Sequence, residues 1–148
     1  MCRCPQRDQP RLKPHEVFDL VEKLIEKHGG TLNEVIMRRV ISALYLSLFN
    51  YWTEKAYTKG RRGRGPCQDW FNYSDFHKDL SSVGLDSAIF TLYLHRVAAD
   101  HYALNPTFVR PLGRPWATEG AYPVEINLNS LIAVFKLSKE VLNVLEKL

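Results

Sequence analysis

Residues 31–59 read TLNEVIMRRVISALYLSLFNYWTEKAYTK. Nothing in this stretch breaks a helix, because it holds neither Gly nor Pro and the 3.6-residue period runs on uninterrupted. On that period Met37, Val40, Ile41, Leu44, Leu48 and Tyr51 line one side, and Tyr45, Phe49, Trp52 and Ala56 line another. A helix that is apolar around most of its circumference needs neighbours on several sides. The stretch is therefore expected at the centre of a helical bundle, with Thr31 and Glu34 as a capping-box start.

Upstream, Pro14 opens a helix in the first-turn position where a missing N–H costs nothing. Val17, Leu20, Val21, Leu24 and Ile25 give it an apolar face, and Gly29-Gly30 ends it. Residues 1–13 carry Pro5, Pro10, five charges and one large aliphatic side chain, Leu12, and read as a flexible arm ahead of a single domain, 14–148. Downstream, Lys59-Gly-Arg-Arg-Gly-Arg-Gly-Pro66 interrupts the central helix, and its glycines and mutually repelling cations predict a mobile loop. A short helix follows with Ser74 as N-cap and Gly84 past its end. A stronger one begins at Leu85 or Asp86 and runs to about Leu104, where Asn105-Pro106 stops it. Residues 105–126 hold Pro106, Pro111, Pro115 and Pro123 and have room for a small hairpin pairing 107–110 with 124–128. Residues 129–148 form a closing helix with Leu131, Val134, Phe135, Val141, Leu142, Leu145 and Leu148 on its buried face. The expected fold is all-α: an up-and-down bundle of four to five helices with one long Pro-rich crossover.

The composition fits an ordinary globular domain: 148 residues, 45% hydrophobic and 24% charged, which argues against global disorder. Three cysteines, Cys2, Cys4 and Cys67, do not read as a disulfide framework and fall short of the four ligands of a structural zinc site. No metal or cofactor is expected. With a polar N-terminus and no apolar run near the ~20 residues of a membrane span, a cytoplasmic protein without a membrane partner is expected. The net charge of +4 permits a polyanionic partner without demanding one.

Two segments carry candidate chemistry. In Tyr93-Leu-His-Arg-Val-Ala-Ala-Asp-His-Tyr102, Arg96 and Asp100 stand four apart and can pair along one helix face. Arg96 and His101 stand five apart, about 140° around the axis, so they converge on one ligand only through the length of the Arg side chain. The plain structural alternative is a surface ion pair with a semi-buried histidine. The second segment is Lys59, Arg61, Arg62 and Arg64, which could track a phosphate backbone while Trp70, Phe71 and Tyr73 stack bases. Its plain alternative is a solvated loop whose aromatics anchor the next helix. Arg110, Arg114 and Trp116 form a weaker third set. His15, His28, His77 and His95 show no ligand spacing, and His77, between Asp75 and Asp79, reads as an exposed helix residue.

Arg96 and His101 with four residues between, the run Arg96-Val-Ala-Ala-Asp-His-Tyr102, and the earlier run Arg39-Val-Ile-Ser-Ala-Leu-Tyr-Leu-Ser-Leu-Phe49 together resemble the HEPN superfamily. Its members share an Arg-x-x-Ser-x-x-Tyr-Tyr-Ala-x-Phe helix and a later Arg-x4–6-His or Arg-x-x-Ala-Asp-Tyr pattern. The resemblance spans roughly residues 31–105. It implies a helical bundle that dimerises, with RNA as substrate and an antitoxin or other protein as partner. It also implies a metal-independent endoribonuclease of toxin or defence type, in which His101 moves a proton and Arg96 steadies the phosphorane charge. Asp100, Tyr102 and Arg39 would support that pair. Val97 stands where ribonuclease members usually carry a polar residue, and Leu46 replaces the second Tyr. The alternative is accordingly a non-catalytic HEPN-like module that binds nucleotide, nucleic acid or protein.

Overall fold

The computed structural model describes residues 13–111 and 120–148. Within them the chain forms α1 (Pro14–His28), a 3₁₀ turn (Gly29–Thr31), α2 (Glu34–Thr58), α3 (Tyr73–Ser82), α4 (Asp86–His101), β1 (Phe108–Val109), β2 (Tyr122–Pro123) and α5 (Leu128–Lys147). This is the all-α bundle, with one small antiparallel pair, that the hydrophobic periodicity leads to. Residues 1–12 of the expected arm, and Arg114 and Trp116, lie outside the described residues. No helix among the described residues is long and apolar enough to cross a membrane.

Helix α2 packs against each of the other four helices. Leu44 and Leu48 are fully buried, Tyr45 and Ile41 nearly so, and Met37, Val40, Trp52 and Ala56 join the same core. Each fully buried side chain of this size contributes about 1.5–3 kcal/mol, so the centre of the bundle is held chiefly by this one helix. The closing helix follows its pattern at Leu131, Val134, Phe135, Val141, Leu142 and Leu145, which are buried, but Leu148, expected on the same face, lies past the helix end and is exposed. In α1 the apolar face is turned slightly: Phe18 is buried against Phe135, at 5.9 Å between centroids, while Leu20 is 68% exposed.

Several local expectations are corrected by side-chain chemistry. Asn33 is the N-cap of α2, its Oδ1 accepting from the Ile36 amide at 2.9 Å, while Thr31 instead donates to the His28 carbonyl. Asn72, not Ser74, caps α3 in the same way, accepting from the Asp75 amide at 2.8 Å. Asn is as strong an N-cap as Ser and stronger than Thr, and in both places it occupies the preceding extended residue. The hairpin in the crossover is shorter than expected, and its second strand is Tyr122–Pro123 rather than 124–128, with register Phe108↔Pro123 and Val109↔Tyr122. Past Pro123 the Val124 amide still donates to the Thr107 carbonyl at 3.0 Å, and the Asn105 side chain then bonds both the amide and the carbonyl of Ile126 at 2.9 and 2.7 Å. Cys67 is disulfide-bonded, although the three cysteines had not read as a disulfide framework.

The 59–66 interruption differs most from its expectation. Gly60, at φ 91°, caps α2 in the left-handed region. The chain then turns back on itself between Gly63 and Trp70. Arg64 and Trp70 exchange both backbone hydrogen bonds, at 2.7 and 3.2 Å, and the Gly63 amide donates to the Gln68 carbonyl at 2.7 Å. Gly63 is required there, because a Cβ at that position would sit 2.2 Å from the Trp70 carbonyl oxygen. A bridged turn stands where charge repulsion alone predicted a mobile loop.

Candidate functional site

Arg96 lies on the face of α4 that meets α2 and α3. Its guanidinium covers the rings of Tyr73 and Tyr45 at 4.8 and 5.7 Å, and its Nε lies 3.0 Å from Asp100 Oδ2. The Nε–H is not aligned on that oxygen, so the contact is ionic rather than a formed hydrogen bond. Ser42 of α2 donates to the same Asp100 oxygen at 3.2 Å. With side chains only 16% and 20% exposed, Arg96 and Asp100 form a partly desolvated pair. Behind them, the Tyr45 hydroxyl and His77 Nε2 share a 2.7 Å hydrogen bond inside the core. Burial pushes the His77 pKa down to about 3 and the Tyr45 phenol upward, the Arg96 charge opposing the latter in part.

His77 thus corrects its expectation: it is 4% exposed, not a surface residue. Tyr73, Phe76, His77 and Leu80 recur at helical spacing, and the face they define is the one α3 turns toward α2 and α4. His77 meets Tyr93 edge-on at 5.3 Å, completing an aromatic layer under Arg96.

The end of α4 is held by a residue that motif reading passed over. Arg38 donates from Nη1 to the carbonyls of Ala98 and Ala99, at 3.1 and 3.2 Å, and to that of Tyr102. Glu34 steers it through two bonds to Arg38 Nε and Nη2, at 3.0 and 2.8 Å. The cation satisfies carbonyls that every helix C-terminus leaves open, and it favours the negative end of the dipole. Its i, i+4 spacing from Glu34 was the available signal. Arg39, which the motif singles out, is exposed on the neighbouring strip of α2. Tyr102 links helix to crossover, its hydroxyl accepting from the Arg110 amide at 2.9 Å. His101 is exposed at the last turn of α4. Arg96 is thus turned into the bundle, while His101 faces solvent.

The cations of the 59–64 run separate into two kinds. Arg61 is taken into the structure, ion-paired with Asp79 and lying over the Trp52 ring at 5.3 Å. Lys59, Arg62 and Arg64 are exposed, with Arg62 laid on the Tyr57 ring at 4.6 Å. Among the described residues, none of these three has a carboxylate within ion-pair distance. The aromatics divide likewise. Phe71 is buried, edge-on to Trp52 at 5.5 Å, and Tyr73 packs on Phe49 at 4.7 Å, but Trp70 is 60% exposed. Arg64 and Trp70 are a directly opposed antiparallel pair, so their side chains leave the same face of the turn. Set against family models, curated proteins and solved structures, the chain matches none of them.

Proposed function

We propose that this chain is a HEPN-like helical module that binds RNA, with the 59–70 turn as its contact surface. The observation that carries this reading is that Lys59, Arg62 and Arg64 are exposed and without carboxylate partners among the described residues, with Arg64 directly opposite the exposed Trp70. Cations not neutralised within the protein are the ones that displace counterions from a phosphate backbone. The test is RNA binding as a function of salt. A log–log slope near −2, roughly 0.7 per phosphate contact on a single strand, is expected for three such cations. A flat salt dependence would remove the electrostatic basis of the proposal.

Metal-independent cleavage is a second reading, favoured by the exposure of His101 at the end of α4. In that reading His101 transfers the proton, Arg96 exchanges Asp100 for the scissile phosphate, and a second copy of the chain supplies another Arg96–His101 pair. His101→Ala is then expected to lower cleavage in excess chelator by about 10²–10⁴-fold, the range for a general acid–base group. Equal cleavage by the folded variant, or no cleavage by the wild type, would leave the chain a binding module alone.

A further inference from the structure

The Trp52 ring is met edge-on by Phe71 and covered by Arg61, which is anchored to Asp79. The two backbone bonds between Arg64 and Trp70, and the close approach of Gly63 to the Trp70 carbonyl, then fix the indole outward. Phe108 is equally open, but it has no cation directly opposite it in its pair, whereas Trp70 stands across from Arg64. Here it is fixed by backbone geometry, and its nearest cross-strand neighbour is a cation. Lys59, the C-cap of α2, and Arg62 add exposed positive charge just before the turn, and Asp79 is held by Arg61.

Resting on the RNA-binding reading above, we infer that this turn is a stacking platform for single-stranded nucleic acid. An unpaired base lies on the exposed face of Trp70, and Arg64 and Arg62 hold the phosphates that flank it. A duplex cannot use such a platform, because its base faces are already stacked on one another. A polyanion without bases gains only the electrostatic part. Base and phosphate are common to RNA and DNA, so the platform itself accepts either, and a preference for RNA would come from the 2′-hydroxyl.

The experiment is fluorescence anisotropy with the full chain and four probes: labelled ten-residue oligoadenylate RNA, the DNA of the same sequence, the RNA paired with its complement, and polyphosphate as competitor. Both single strands are expected to bind, and Trp70→Ala to weaken them about tenfold, within the range for one aromatic stack. Trp70→Phe, which keeps a ring, should recover most of that loss, so a misfolded Trp70→Ala cannot pass for a lost stack. Arg62→Gln with Arg64→Gln should reduce the salt slope by about 1.4, two contacts at roughly 0.7 each. Gly63→Ala should weaken the single strands as Trp70→Ala does, since the added Cβ cannot coexist with the bridge. Binding by Trp70→Ala equal to wild type, or duplex or polyphosphate binding as tight as the single strands, overturns the platform while leaving salt-dependent RNA binding in place. Wild-type protein that binds none of the four probes overturns both.

Discussion

The end of α4 and the 63–70 turn each present arginine beside aromatic rings, and the two arrangements differ in where the charge goes. At α4, Arg96 faces inward: Tyr45 and Tyr73 lie under its guanidinium, and Asp100, itself bonded by Ser42, neutralises it. At the turn, Arg64 is exposed directly opposite an exposed indole, and Arg62, exposed as well, rests on the Tyr57 ring with no carboxylate partner among the described residues. Partly desolvated cation–aromatic contacts and ion pairs hold a fold together, and their loss is felt as instability. Solvated cations contribute little to stability and are available to a ligand. The contrast teaches that residue type near an aromatic does not distinguish a binding group from a structural one. Burial and the presence of a counter-charge do.

The sharpest way to break this contrast is Arg96→Ala. Removing the guanidinium strips the cover from two tyrosine rings and leaves Asp100 with only Ser42, and a loss of about 3 kcal/mol is expected, toward the lower end of what breaking a buried pair costs. Urea unfolding measures it; a change under about 0.5 kcal/mol would place Arg96 among the dispensable surface cations.

Acid should act on the same region. The His77 pKa is lowered by burial from 6.5 to about 3 in the fold, and that of His95 is lowered by burial as well, its bond to the Thr91 carbonyl opposing. A group with a depressed folded-state value as a base takes its proton more readily in the unfolded chain. Stability is therefore complete above pH 6.5 and declines as pH falls toward 3, by about 1.4 kcal/mol per unit for His77 alone. Between pH 6.5 and 5.0 the expected loss is about 1.6 kcal/mol. His77→Gln, which cannot ionise, should flatten that slope, and an unchanged slope would mean that His77 is not the group responsible.

The smallest expected effect belongs to the turn. Arg62→Gln together with Arg64→Gln should change unfolding stability by no more than about 0.5 kcal/mol, as for other exposed charges. A loss of 2 kcal/mol would show these cations to be structural after all and would erase the difference between the two regions.

Much of the fold was legible from local pattern. The uninterrupted apolar run of α2, the stripe of α5 and the bounds of α1 follow from periodicity and from Pro and Gly as punctuation, because those signals act within a few residues. Asn33 and Asn72 were available as caps, but competing Thr31 and Ser74 obscured them, and which residue caps is settled by which one sits in the extended position before the first turn. The pairing of Arg96 with Asp100 could be read from their spacing, whereas the aromatic floor beneath it could not. Tyr45, Tyr73 and His77 lie on two other helices, and nothing local says that they meet.

The sequence by itself determined a helical bundle around α2, a positive run after it and the Arg96–Asp100 pair on α4. Only the tertiary structure decided which arginines are taken up by the fold and which remain open. Arg38 reaches carbonyls some sixty residues away, Arg61 meets Asp79, and Phe71 packs on Trp52 while its neighbour Trp70 is exposed. Charge and aromaticity are properties of a residue. Desolvation and counter-charge are properties of a place, and a place exists only once distant parts of the chain have packed together.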